Sequence, residues 1–277
     1  MTVIQKGKTA VITGGATGIG RALALGLADA GMNIVLASTS AERLALAADA
    51  VRERGAQVLV VPCDVSDRAA VRDLADRAVT EFGAVHLLCA NAGVTTAGPF
   101  LNHGDEDWDW IYDVVLRGVT HCIQAFYPLM AKAGEGQILL TGSHAGLVPD
   151  WVLGHGPYTS AKSAVMALGA ALRPEAAQHG VGVSILIPAG TESDILQSAR
   201  SRPARYGTTA NTGMSPTDMV PREGAPMPLA DTKFFLTAEE VADIAIRALP
   251  DNPGFIATHP GLRPLVEDYF GRILAAY

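Results

Sequence analysis

A chain of 277 residues, 49% apolar and 18% charged, is long enough to bury one full α/β core and lies far from the composition of a disordered segment. A net charge of -7 with no Lys/Arg cluster argues against nucleic acid or an anionic membrane surface as partner. No apolar run has the length of a membrane span and the N-terminus lacks the layout of a signal peptide, so a cytoplasmic location is expected. The three cysteines, Cys63, Cys89 and Cys122, sit among apolar neighbours without a Cys-x-x-Cys, and no His pair has metal-ligand spacing; free buried thiols and no metal are expected.

In chain order, β-branched runs predict strands at 9–13, 33–38, 57–62, 85–90, 137–142, 181–187 and 254–257. Between them, Ala/Leu-rich stretches predict helices at 18–30, 41–54, 67–82, 106–132, 157–179, 237–248 and 262–276. Strands separated by helices imply βαβ units, and their handedness favours a Rossmann-type, doubly wound parallel sheet in a single α/β domain over 1–277. Val181-Gly-Val-Ser-Ile-Leu-Ile187 reads as a strand buried on both faces, and Thr237-Ala-Glu-Glu240 as a capping box. Pro174 falls late in a predicted helix, where it should cost a hydrogen bond and kink the chain. Residues 190–236, with five prolines and little periodicity, read as a substrate lid, and 258–277 as a C-terminal tail.

The first strand, Thr9-Ala-Val-Ile-Thr13, runs into Gly14-Gly-Ala-Thr-Gly18-Ile-Gly20 and then a helix. Glycine permits positive φ and close backbone approach, and a helix N-terminus offers free N–H groups to a pyrophosphate. The spacing is Gly-x-x-x-Gly-x-Gly, not the commoner Gly-x-Gly-x-x-Gly. A second constellation is Tyr158-Thr-Ser-Ala-Lys162, with Ser143 upstream. Positions i and i+4 share a helix face, so Lys162 can sit under the Tyr158 ring. A cation about 4 Å away could lower the phenol, ordinarily near pH ~10, by up to about 3 pKa units before desolvation opposes it, which suits general acid–base work.

Thr13-Gly14-x-x-x-Gly18-x-Gly20, Asp64-Val65, Asn91-Ala92-Gly93, Ser143 and Tyr158-x-x-x-Lys162 together resemble the short-chain dehydrogenase/reductase family, over about residues 8–276. The resemblance implies a bound nicotinamide dinucleotide and hydride transfer between a carbonyl and an alcohol. It implies that Ser143 bonds the substrate oxygen, that Tyr158 donates or accepts its proton, and that Lys162 tunes Tyr158 and holds the nicotinamide ribose. Gly14, Thr17, Gly18, Ile19 and Gly20 would pack on ribose and pyrophosphate, Asp64 and Val65 would flank adenine, and Asn91, Ala92 and Gly93 would lie beside the adenosine ribose. Asp64 could instead be a turn residue or, with Ser66, part of a helix cap, and Asn91 could shape a turn with Gly93. The family is commonly tetrameric, so a homo-oligomer, dimer or tetramer, is implied.

The chain departs from the family in two places. An Asn usual in Val-Asn-Leu-x-Gly is replaced by Val115 in Val114-Val115-Leu116-Arg117-Gly118. Pro188-Ala189-Gly190-Thr191-Glu192-Ser193 stands where Pro-Gly and then a carboxamide-binding Thr are common, with Ser193 or Thr191 as stand-in. Cofactor choice rests on the end of the second strand, where NAD enzymes place an acid. Here Ser38 takes that place, so no strand-end carboxylate repels a 2′-phosphate; Ser38, Thr39 and Ser40 offer hydroxyls and Arg43 a cation. The family's frequent Arg at position 39 and a basic residue at Thr17 are both absent. NADP is favoured, with NAD open.

The substrate, a small-molecule carbonyl or alcohol, should meet Val94, His144, Trp151, Val152, Leu153, His155 and Tyr206, with Met214, Met219 and Met227 of the lid adding adaptable apolar surface. Gln197–Pro203 and the tail from Thr258 resemble family members that act on bulky aromatic alcohols and ketones. Two other readings compete: a nucleotide-binding regulator impaired by Val115 and Ala189, and a cofactor-free lyase on this scaffold, such as a halohydrin dehalogenase. Gly14, Gly18, Gly20 and Lys162 argue against the lyase.

Overall fold

The computed structural model describes residues 3–151, 153–208 and 222–277. Seven parallel strands form the main sheet: β1 Thr9–Thr13, β2 Asn33–Ser38, β3 Val58–Pro62, β4 Leu87–Ala90, β5 Gly136–Thr141, β6 Val181–Ile187 and β9 Phe255–Ala257. Their order is β3-β2-β1-β4-β5-β6-β9. The chain therefore winds outward from β1 in one direction and from β4 in the other, which opens a crevice at the C-terminal ends of these two strands. Two further short strands, β7 Thr191–Glu192 and β8 Leu236–Thr237, pair with each other and bind the two ends of the predicted lid together.

Strand alternation explains the two-sided core. Val11, Val35 and Leu88 face one layer, made by α3 (Arg68–Phe82), α5 (Gly118–Ala133) and α7 (Gly156–Ala177). Ile12, Ile34 and Leu87, one residue along, face the other, made by α1 (Gly18–Asp29), α2 (Ala41–Arg52) and α8 (Ala238–Ala248). All three cysteines are free and buried, and burial pushes each thiol up to about 12. Thr237 and Glu240 complete the capping box of α8 reciprocally. α7 runs through Pro174 to Ala177 without ending there.

The predicted helix 106–132 is one rod with a change of winding. α4 (Asp105–Ile111) passes into a π-helical stretch, Tyr112–Arg117, and then into α5. Val115 lies in that stretch, fully buried, and the stretch packs against α7. The insert is less irregular than its composition suggests. Beside β7 and β8 it contains 3-10 turns at Asp194–Ser201 and Ala204–Tyr206. Among the expected lining residues, Val152, Met214 and Met219 lie outside the described residues. A four-residue helix, α6 (His144–Leu147), follows β5, and α9 (Arg263–Leu274) ends the chain.

Candidate active site

The crevice is a cleft of about 550 Å³. Its floor is a hydrogen-bonded knot across three strand ends. Thr13 Oγ1 accepts from the amides of Asn91 and Ala92 at 3.0 and 3.2 Å, Asn91 Nδ2 donates to Thr13 O at 3.2 Å, and Thr141 Oγ1 donates to Asn91 Oδ1 at 3.1 Å. Asn91 is thus a strut between β1 and β5 that also lines the cleft, and its bonds run to Thr13 and Thr141 rather than into a turn with Gly93. Gly14 and Gly18 hold φ of +66° and +52°, the left-handed region that glycine tolerates. α1 starts at Gly18 with no side-chain cap from Thr17 and no acid in its first turn. Its N-terminal amides and positive dipole end are therefore uncompensated where Thr17, Gly18 and Ile19 line the cleft, as a pyrophosphate requires.

Gly20 does not line the cleft. A Cβ there would come within 2.2 Å of Gly14 O and 2.6 Å of Asn91 Nδ2. It is glycine so that α1 can dock on the turn and the strut, a packing role that its place in the motif does not disclose.

Ser143, Tyr158 and Lys162 meet at the next stretch of the same wall. Ser143 leaves β5, accepts from Ala145 N at 3.2 Å as the cap of α6, and is hydrogen-bonded to the Tyr158 hydroxyl. Lys162, one turn along α7, is 3% exposed; its Nζ donates to Thr141 O at 2.6 Å and lies 5.8 Å from the Tyr158 ring centroid. Burial pushes the phenol up to about 12 even though the Ser143 bond lowers it. Burial also brings the Lys162 ammonium down to about 8. The expected lowering of Tyr158 is thus reversed: loss of hydration raises the phenol more than the Ser143 bond lowers it, and the same loss lowers the Lys162 ammonium.

At the opposite end lie Ser38, Thr39, Ser40 and Arg43. The Ser40 hydroxyl caps α2 by accepting from Arg43 N. Asp64 Oδ1 accepts from both Ser66 N and Ser66 Oγ, while Oδ2 takes Arg205 Nη2 at 2.8 Å. Burial would raise this carboxyl, but the Ser66 and Arg205 bonds outweigh it and hold it below the usual range. Arg43 Nη1 is held by Asp194 Oδ2 at 2.8 Å, so the insert brings a carboxylate to a place where β2 supplies none.

The insert is stapled over the cleft. Arg202, its guanidinium above the Trp110 ring, forms a buried ion pair with Asp107 of α4 and donates through Nη2 to Tyr206 O at 2.6 Å. The Tyr206 hydroxyl donates to Asp113 at 2.8 Å, and Ser198 Oγ accepts from Thr95 N at 3.1 Å. This closure gives the cleft beside Tyr158 an apolar lining of Val94, Trp110, Val114, Ile195 and Pro203. Of these Val94 was expected by name, Ile195 and Pro203 belong to the predicted lid, and Trp110 and Val114 were not expected. Trp110 and Val114 are four residues apart on the rod after β4, and that spacing was the signal available in the sequence.

Val65, Ala92, Gly93, Pro188, Thr191 and Ser193 also line the cleft. Seven other expected residues, Tyr206, His144, Trp151, His155, Leu153, Gly190 and the exposed Met227, do not. Tyr206 packs into the core under the insert. His144 is buried with its ring edge-on to Trp151 at 4.9 Å, and His155 is buried behind Tyr158 with ring centroids 5.8 Å apart. Burial brings both imidazoles down to about 4, with His259 adding to the first and His103 to the second. Leu153 is exposed away from the cleft. Gly190 is backbone support: its carbonyl accepts from Leu236 N at 3.1 Å and pairs with His259 Nε2 at 3.1 Å. His259 Nδ1 accepts from Ala189 N at 3.3 Å, so the tail braces the loop that carries Thr191 and Ser193. Among the described residues no cluster has the make-up of a metal site, and no helix is long and apolar enough to cross a membrane.

Parallel sheet, glycine turn and Ser-Tyr-Lys cleft define a Rossmann-type α/β protein of the dehydrogenase kind. The chain belongs to the short chain dehydrogenase family, whose pattern matches residues 8–204. It is 30% identical over 277 residues, 97% of this chain and 94% of the relative, to the CLA biosynthesis dehydrogenase/reductase of Lactiplantibacillus plantarum. It is 32% identical over 270 residues, 96% and 85% of the two chains, to the C alpha-dehydrogenase of Sphingobium sp. strain SYK-6. Among solved structures, a short chain dehydrogenase/reductase from Burkholderia phymatum in complex with NAD matches with TM-score 0.86 and 32% identity, covering 100% of this chain and 97% of that one. An alcohol dehydrogenase from Thermococcus sibiricus complexed with 5-hydroxy-NADP matches with TM-score 0.71 and 25% identity, covering 91% and 96%.

Proposed function

We propose that this protein transfers a hydride between a nicotinamide dinucleotide, NADP in preference to NAD, and an apolar, aryl-bearing ketone or secondary alcohol. The observation that carries the reading is one cleft holding both an uncapped helix N-terminus behind a glycine turn and a Tyr158 hydroxyl bonded to Ser143 beside the Lys162 amine. The dinucleotide supplies or takes up the hydride. Gly14, Thr17, Gly18 and Ile19 would hold its pyrophosphate, Thr191 and Ser193 its nicotinamide end, and Ser38, Thr39, Ser40 and Arg43 the adenosine ribose. Asp64, Val65, Asn91, Ala92 and Gly93 would line the adenosine half.

Ser143 orients the substrate oxygen and Tyr158 gives it a proton in reduction. A phenol pushed up to about 12 is fully protonated at neutral pH, which suits a donor. The Lys162 ammonium faces the phenolate as it forms and lowers its cost. Val94, Trp110, Val114, Ile195 and Pro203 form an apolar wall for the organic part of the substrate. The C alpha-dehydrogenase relative and the Thermococcus alcohol dehydrogenase favour an alcohol or ketone substrate. NADP is favoured by Ser38 in place of an acid and by Arg43. Buried free thiols suit a reducing, cytoplasmic setting, and family membership favours a homo-oligomer.

The test is a panel of aryl and alkyl ketones with NADPH and NADH at matched concentration, followed by loss of reduced-cofactor absorbance. Turnover of aryl ketones with NADPH is expected. A tenfold preference for NADH would refute the cofactor choice, and cofactor binding without turnover on any ketone or alcohol would favour the regulator.

A further inference from the structure

Two acids line the cleft among the described residues, Asp64 and Asp194. Both oxygens of Asp64 are taken by Ser66 and Arg205. Asp194 is differently placed. It opens the first 3-10 turn of the insert, and a single oxygen, Oδ2, receives Arg43 Nη1 at 2.8 Å and Arg200 Nη2 at 3.1 Å. Arg43 comes from the first turn of α2, directly after the three hydroxyls Ser38, Thr39 and Ser40. Arg200 is fixed independently of the carboxylate, because its Nη1 donates to Asp194 O at 2.7 Å and Gln197 O at 2.9 Å. The group thus carries two positive charges and one negative, a net charge of about +1, at the end of the cleft where a dinucleotide-binding sheet meets the adenosine ribose.

We propose that Asp194 sets cofactor selectivity by competing with the ribose 2′-phosphate for Arg43. The inference rests on the reading of the cleft as a dinucleotide site. A 2′-phosphate needs a guanidinium, and the one that β2–α2 supplies is already engaged by a carboxylate from another element. A phosphate must take Arg43 from Asp194 and then lie beside that carboxylate, while a 2′-hydroxyl leaves the ion pair whole. Asp194 therefore acts as a brake on NADP that no residue of the β2 end reveals. Its two partners can hold the phosphate once it has entered. The pair is half-exposed, so the brake is of moderate strength and falls as salt rises.

The experiment measures direct binding, by calorimetry on the full chain, of NADP+, NAD+, adenosine 2′,5′-bisphosphate and AMP. Parent, Asp194→Asn, Arg43→Ala and the double variant are compared at low salt. Asp194→Asn is near-isosteric and half-exposed, so it should fold as the parent does; circular dichroism checks this. The account predicts that Asp194→Asn tightens NADP+ and the bisphosphate about tenfold, or about 1.4 kcal/mol, and leaves NAD+ and AMP within about twofold. In the Arg43→Ala background the same change should have less than half that effect. Equal tightening of all four ligands, or no change for NADP+, would overturn the competition. Weaker NADP+ binding would overturn it too, because Asp194 would then be orienting Arg43 for the phosphate. If the parent binds none of the four, the dinucleotide reading itself fails, and this inference falls with it.

Discussion

Replacing His144 and His155 together with phenylalanine should flatten the acid limb of the protein's stability. Both imidazoles are buried, 4% and 7% exposed, and burial brings each from 6.5 down to about 4. The sign follows from which state takes the proton. Above pH 6.5 both folded and unfolded chains hold these rings neutral, and their contribution is constant. Between 6.5 and about 4 the unfolded chain binds protons that the folded chain refuses, so stability falls as pH falls. One pH unit is worth about 1.4 kcal/mol per ring, so by about pH 5 each ring costs about 2 kcal/mol and the pair about 4. That is a large share of a folding free energy of about 5–15 kcal/mol. Denaturant unfolding at about pH 7.5 and pH 5, read by fluorescence and circular dichroism, measures the difference. The double variant should lose about 4 kcal/mol less than the parent across that interval. An equally steep loss in both proteins would refute the burial of these rings as neutral species.

Gly20→Ala should lower stability by about 1–3 kcal/mol and weaken dinucleotide binding, because the methyl meets Gly14 O at 2.2 Å and shifts the turn; a variant with unchanged melting and cofactor affinity contradicts the docking role given to Gly20. Asp107→Ala leaves the Arg202 guanidinium buried without its carboxylate, which should cost about 3–5 kcal/mol. Pairing Asp107→Ala with Arg202→Met should recover much of that loss in a denaturation series, and no recovery would show that the ion pair is not the source. Val115→Asn adds an amide to a fully buried position in the stretch that packs on α7. Turnover should rise and its pH profile should shift, at a cost of about 1–3 kcal/mol in stability; unchanged turnover and pH profile would mean that the departure from the family at this position does not matter to activity. Ketone reduction should also decline as pH rises through about 8, where Lys162 loses its proton. A flat profile across that range would remove the ammonium from the proposed chemistry.

What the sequence disclosed and what it hid divide along range. Strand runs such as Thr9–Thr13 and Val181–Ile187 are local and continuous, so the sheet and its crevice followed from them. The motif residues were legible because strand ends and helix starts present them to one crevice by topology alone. The π-helical turn at Tyr112–Arg117 leaves the apolar pattern unbroken and alters only the hydrogen-bond register, so it read as plain helix. The staples of the insert join partners far apart in the chain: Arg202 and Asp107 are 95 residues apart, Arg205 and Asp64 141. No window of sequence contains such a pair, so the lid was legible from its prolines but the staples that hold it and the carboxylate on Arg43 were not. Tyr158 teaches the same lesson in energy. The four-residue spacing put the cation on the side of the ring, 5.8 Å from its centroid, yet the sign of the phenol's shift depended on burial, which spacing does not encode.

The central claim is that Tyr158 is the proton donor of a hydride transfer carried out in this cleft. Its most direct test is Tyr158→Phe, with NADPH affinity measured by fluorescence and turnover of an aryl ketone that the parent reduces. The account predicts a fall in turnover of about 10²–10⁴-fold, with NADPH affinity within about threefold of the parent. Turnover near the parental rate would contradict it.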